Sequence, residues 1–149
     1  MQKNNLTIYC DGGSRGNPGS AASAFVATID DKVIYKESKY LGIETNNVAE
    51  YRAVLLAITW LTSKYKGLST KYIVINLDSQ LVERQLNGYY KVKNQKLKVL
   101  ADEIKLKIVN FKSVTGDALK IRFVWGYRSK NTLADDLVNE TLDLYSTGK

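Results

Sequence analysis

The 149-residue sequence predicts a single α/β domain built on a mixed β-sheet. Three observations lead there. The chain opens with three extended runs separated by turn signals, LTIYCD (6–11), AASAFVATID (21–30) and KVIYKESKYL (32–41); this is the spacing of an antiparallel meander. A continuously apolar run, KYIVINLD (71–78), has the composition of a strand buried on both faces. Helical and extended segments then alternate, giving the order βββαβααβα.

Each element has a local reason. The glycine-rich GGSRGNPGS separates the first two runs, and a short turn around Asp30 and Asp31 leads into the third. TNNVAEYRAVLLAITWLTSKY (45–65) is predicted helical, because Tyr51, Val54, Leu55, Ile58 and Leu61 recur at helical spacing. Thr45, Asn46 or Asn47 can cap its start. SQLVERQL forms a short helix after the apolar strand, NGYYKVKN a connection, and the stretch from about Gln95 to Phe111 a second amphipathic helix. The turn signal TGD precedes a fifth strand, LKIRFVW (119–125). After the polar GYRSKN, a final helix covers NTLADDLVNETLDLY (131–145). With no repeat, linker or low-complexity tract, residues 1–149 read as one domain.

Composition narrows the chemistry. A 44% hydrophobic and 25% charged chain is ordinary for a soluble globular protein. Cys10 is the only cysteine, so no intramolecular disulfide is possible and a reducing, cytoplasmic setting is expected. No run reaches the ~20 apolar residues of a membrane span, so no membrane partner is expected. The net charge of +7 suits a polyanion such as nucleic acid, or simply a solvated basic surface. The lysines of NGYYKVKNQKLK (87–98), notably Lys91, Lys93 and Lys96, are candidates for phosphate contact. Histidine is absent, which excludes Ser-His and Cys-His catalytic pairs and imidazole metal sites.

The acids are placed suggestively. Asp11 ends the first strand and Asp78 the fourth, so parallel pairing of those strands would bring the two carboxylates together. Taken singly, Asp11 also reads as a turn residue and Asp78 as a helix N-cap. Glu50 falls on the border of the first helix's apolar stripe, with small Ala53 and Ala57 three and seven residues on. A carboxylate held there needs a partner, unless it lies on the surface. Adding one of Asp135 or Asp136 gives four acids that cannot crowd together without a cation. Hard divalent ions suit such a site, and two of them about 3.5–4 Å apart would activate water in phosphodiester hydrolysis.

DGGSRGNPG (11–19), TNNVAEYRAVLLAI (45–58), LDSQLV (77–82), VKN (92–94) and RSKNTLADDL (128–137) together resemble the type 1 ribonuclease H family in order and spacing, over nearly the whole chain. The compact segment between Gln80 and Leu97 and the RxxNxxAD ending are similar to the archaeal-type branch. The resemblance implies a ribonuclease H-like fold, a five-stranded mixed sheet flanked by helices on both faces. It implies a monomeric endonuclease that hydrolyses the RNA strand of RNA–DNA hybrids with two Mg²⁺ or Mn²⁺ ions, leaving 5′-phosphate and 3′-hydroxyl ends, with double-stranded RNA as a further substrate to test. The catalytic and metal-binding carboxylates map onto Asp11, Glu50, Asp78 and Asp135.

Substrate contacts implied by the same resemblance are Gly12, Gly13 and Asn17 near the RNA strand, where 2′-hydroxyls distinguish RNA from DNA. Asn46, Asn47 and Gln80 match minor-groove positions, and Thr45 and Asn94 a pocket for a DNA phosphate. Capping of a helix by Thr45 or Asn46, and a simple turn at Asn17, are the alternatives. The family's loop histidine falls on Trp125, counting back from Asp135, and Arg128 is the nearest phosphate-binding substitute; an arginine cannot act as a general base. The competing functions are a non-catalytic nucleic-acid-binding module on the same fold and a related nuclease acting on DNA.

Overall fold

The computed structural model describes residues 5–63, 72–115, 120–126 and 131–146. Five strands, β1 (Leu6–Arg15), β2 (Gly19–Ile29), β3 (Lys32–Glu44), β4 (Tyr72–Leu77) and β5 (Lys120–Trp125), form one sheet in the order β3-β2-β1-β4-β5. β1, β2 and β3 pair antiparallel as the expected meander, whereas β4 pairs parallel with both β1 and β5. The helices are α1 (Asn46–Ser63), α2 (Gln80–Leu86), α3 (Gln95–Thr115) and α4 (Thr132–Ser146). The mixed α/β architecture and the element order are those the sequence predicts.

The main core lies where α1 covers one face of the sheet and α3 packs against α1. Leu6, Ile8, Cys10, Phe25, Ile73, Ile75 and Leu77 meet Tyr51, Val54, Ile58, Leu61 and Ile104 there. The opposite face is thinner: Val138 and Leu142 of α4 pack on Ala22 and Ala24, with Tyr40 and Leu137 at the margin. Small alanines on β2 let α4 approach closely, and that approach delivers α4's first turns to the end of β1.

Several boundaries differ from the sequence expectation. β1 continues through Gly12 and Gly13 to Arg15, and β2 starts at Gly19, because Gly12 pairs with Ser23 and Gly13 with Ala22. Ladder pairing overrides the poor strand propensity of glycine here. β3 runs on to Glu44, and α3 four residues past Phe111. Asp30 and Asp31 both take positive φ, 50° and 65°, as a tight two-residue hairpin turn demands. The last two residues assigned to the first helix (64–65), the first of the fourth strand (71) and of the fifth (119), and Arg128 lie outside the described residues.

Candidate active site

The β1–β4 register, Tyr9 beside Asn76 and Cys10 beside Leu77, places Asp11 and Asp78 at adjacent positions just beyond the last pair. Cys10 and Leu77 face the main core, so their neighbours Asp11 and Asp78 are presented toward the α4 side. Asp78 does not cap α2: Ser79 does, its Oγ accepting from the Val82 amide at 3.2 Å.

Glu50 reaches this point from α1 because Gly12 lets the helix in. A side chain at Gly12 would stand 2.2 Å from the Ala49 carbonyl carbon and oxygen and 2.5 Å from the Glu50 nitrogen. With no Cβ present, the Gly12 amide donates to Glu50 Oε1 at 2.8 Å. On β2, the Ser23 hydroxyl donates to the Ala49 carbonyl at 2.7 Å, fixing the same helical turn from below. Ala53 and Ala57 are fully buried in the core, but the closest backbone approach lies one turn earlier, at Ala49.

Asp135 comes from the first turn of α4. Its carboxyl lies within hydrogen-bonding reach of Asp11; Asp135 and its neighbour Asp136 are both exposed on the helix. Two residues that sequence reasoning did not single out tie α4 down, one at each end. Asn131, buried at the helix start, donates from Nδ2 to the Cys10 carbonyl at 2.9 Å. Arg15 Nη2 forms an ion pair with Asp143 Oδ1 at 2.7 Å. Asn76, also buried, lies against Gly126, where a Cβ would stand 2.1 Å from Asn76 Oδ1. A polar residue in the middle of an otherwise apolar strand was the available signal for Asn76, and the RxxN spacing for Asn131.

The electrostatics follow from crowding. Burial first, then the hydrogen bond from Asp135 and the charges of Asp135 and Asp78, push the Asp11 carboxyl up to about 7; Glu50 partly offsets this. Burial and the Asp11 charge raise Glu50 well above the ordinary carboxyl range, against the opposing effect of the Gly12 amide. Burial, with Glu50 and Asp11 close by, raises the Cys10 thiol as well. Among the described residues no three acids or thiols are gathered closely enough to hold a metal ion as they stand. The couplings run pairwise and centre on Asp11, as expected of like charges in a poorly solvated place.

A cleft of about 360 Å³ is lined by Asn17, Glu44, Thr45, Asn47, Asn94 and Lys96. Its walls are held by short-range bonds. The Asn17 Oδ1 accepts from the Asn46 amide at 3.0 Å, and Asn46 Oδ1 accepts from the Ser14 amide at 2.9 Å. Thr45 Oγ1 caps α1 by accepting from the Val48 amide, and Asn94 Oδ1 caps α3 by accepting from the Leu97 amide. Of the expected substrate contacts, Gln80 is exposed at the start of α2 and is not among the residues lining the cleft. Lys96 is already engaged by Glu44, with Nζ at 2.8 Å from both carboxylate oxygens. Trp125 ends β5 half exposed, in register with Leu77.

A mixed sheet whose central parallel strands bring carboxylates to one end, met there by a helical glutamate and an aspartate of the last helix, defines an α/β protein of the ribonuclease H-like class. The family follows directly: the chain belongs to the RNase H family, whose model matches residues 3–143. It is 39% identical over 140 residues to the bifunctional protein Rv2228c of Mycobacterium tuberculosis, covering 93% of this chain and 35% of that protein. It is 35% identical over 136 residues to ribonuclease HI of Halobacterium salinarum, covering 91% of this chain and 63% of the relative. The chain thus spans about a third of the mycobacterial protein and under two thirds of the halobacterial one. LC11-RNase H1, isolated from compost, has been solved in complex with an RNA/DNA hybrid; that structure is 38% identical, with a TM-score of 0.78, covering 94% of this chain and 98% of that one. No helix among the described residues is long and apolar enough to cross a membrane.

Proposed function

We propose that the chain is an endoribonuclease that hydrolyses the RNA strand of RNA–DNA hybrids, with Asp11, Glu50, Asp78 and Asp135 as its catalytic carboxylates. The observation that carries this reading is the coupling of Asp11 to both Glu50 and Asp135, with Asp78 alongside. Acids forced together in this way hold protons only for lack of a better counter-charge. Their oxygen-only donor set, with no histidine anywhere in the chain, fits Mg²⁺ or Mn²⁺. When bound, such ions supply an activated water and stabilise the charge on the leaving oxygen.

The remaining work falls to the chain itself. Gly12 keeps Glu50 oriented through its amide, and Asn131 holds α4 so that Asp135 faces Asp11. The cleft lined by Asn17, Thr45, Asn47 and Asn94 has the polarity to take a phosphate of the DNA strand, while Gly12 and Gly13 offer backbone to the RNA strand, with Asn46 and Gln80 reaching the minor groove. Arg128 is a further candidate for phosphate contact. The hybrid bound to LC11-RNase H1 supports that substrate, and the net charge of +7 favours a polyanion. We further propose that the chain works in the cytoplasm as a single domain and a monomer.

Incubation with matched RNA–DNA, RNA–RNA and DNA–DNA duplexes in Mg²⁺ tests the proposal. Cleavage of the RNA in the hybrid, stopped by EDTA, is expected. Cutting confined to DNA, or binding without cutting, would favour the two competing functions.

A further inference from the structure

Between the edge strand β3 and helix α1 is a second cavity of about 190 Å³. Leu41, Leu55 and Leu56 form its apolar walls, and Lys39 and Arg52 bring cations to it. Arg52 Nε is buried and has no hydrogen-bond acceptor. Neither Arg52 nor Lys39 forms an ion pair among the described residues. The acid nearest along β3, Glu37, accepts a hydrogen bond from the Tyr35 hydroxyl at 3.2 Å. The other, Glu44, is held by Lys96.

A buried guanidinium N–H without an acceptor is costly. Lys39 is exposed and solvated, so the penalty lies with Arg52, and an anion in the cavity removes it while adding the attraction of Lys39. The cavity is a little larger than the ~150 Å³ engineered pocket that takes up benzene, so its apolar walls have room for one ring-sized body. We infer that the β3–α1 cavity binds a small organic phosphate, a phosphomonoester dianion on an apolar body about the size of a phenyl ring. The dianion meets Lys39 and Arg52, and the ring meets Leu41, Leu55 and Leu56. Arg52 is bidentate by nature and suits phosphate oxygens, with Lys39 as a point charge opposite. None of these residues belongs to the acid cluster or to the Asn17–Asn94 cleft.

Phenyl phosphate is the probe, followed by backbone-amide NMR on the intact chain in EDTA, so that no metal recruits it to the acids. Saturable shifts are expected at Ser23, Lys39, Arg52 and Thr59 and not at Asp11 or Asp78. Arg52→Gln should raise the Kd at least tenfold, and Lys39→Gln, at an exposed strand position, several-fold. Phenol, which lacks the charge, should not saturate the site, and inorganic phosphate should bind more weakly than the ester. Saturation by phenol with equal affinity, an unchanged Kd in Lys39→Gln, or shifts confined to the acid cluster would each overturn the inference. If Arg52→Gln fails to fold, the Lys39→Gln comparison decides alone.

Discussion

Gly12 and Glu50 depend on each other: the glycine amide donates to Glu50 Oε1 at 2.8 Å, and only a residue without Cβ leaves room for the helical backbone at Ala49 and Glu50. Strand β1 and helix α1 are thus locked at the one point where a carboxylate must enter the site. Gly12→Ala should therefore cost about 3 kcal/mol, the upper end of ordinary overpacking, because the obstacle is backbone. Thermal unfolding reads the stability, and hybrid cleavage reads the displaced Glu50. A variant as stable and active as the parent would mean that β1 can shift away from α1 freely.

Asp11 links stability to pH. Its folded-state carboxyl titrates at about 7, against about 3.9 when unfolded. Between those values the folded protein binds the extra proton, so stability falls as pH rises from about 4 to 7. Asp11→Asn should abolish cleavage in Mg²⁺, and in EDTA its melting temperature should gain on the parent's steadily across that window. Adding Mg²⁺ at pH 8 should stabilise the parent more than the variant. A difference in melting temperature that stayed constant from pH 4 to 8 would sink the assignment.

The adjacent acids of α4 should behave differently. Both are exposed, but of the two it is Asp135 that reaches Asp11. Asp135→Asn is expected to cost orders of magnitude in turnover, and Asp136→Asn little. Steady-state cleavage of a short hybrid distinguishes them, and the reverse ranking would put the register of α4 wrong by one residue.

Asn131 carries no chemistry yet joins α4 to β1 through the Cys10 carbonyl. Asn131→Ala leaves that buried acceptor unpaired, at a cost of about 1–3 kcal/mol. Loosening α4 should lower turnover more than it weakens hybrid binding, and kcat and KM measured separately would show it. An equal loss in both would point to a general collapse of the site.

Lysines beyond the acids should set the salt dependence. Replacing Lys91, Lys93 and Lys96 together by alanine is expected to weaken hybrid binding and flatten its salt slope, each lost phosphate contact removing roughly 0.9 from the slope. Lys96 is already balanced by Glu44, so its share should be the smallest. Unchanged affinity and slope would mark these lysines as solvated surface.

Periodicity and composition were enough to read the element order, the three-strand meander and the buried fourth strand, because alternating and helical apolar spacing are local properties of the chain. The lack of histidine likewise excluded imidazole ligands from residues alone. Other features depended on contacts between residues far apart in sequence. That Gly12 and Gly13 are strand and not loop follows from pairing with Ser23 and Ala22, whereas the choice of Ser79 over Asp78 as the cap of α2 is a local matter of the backbone turn. The joining of Asp11 to Asp135 needs α4 laid over the alanines of β2 and tied down by Asn131, across 121 residues of chain. No local spacing encodes such an approach. It exists because burying one face of α4 against a strand of small residues leaves its first turn nowhere else to go.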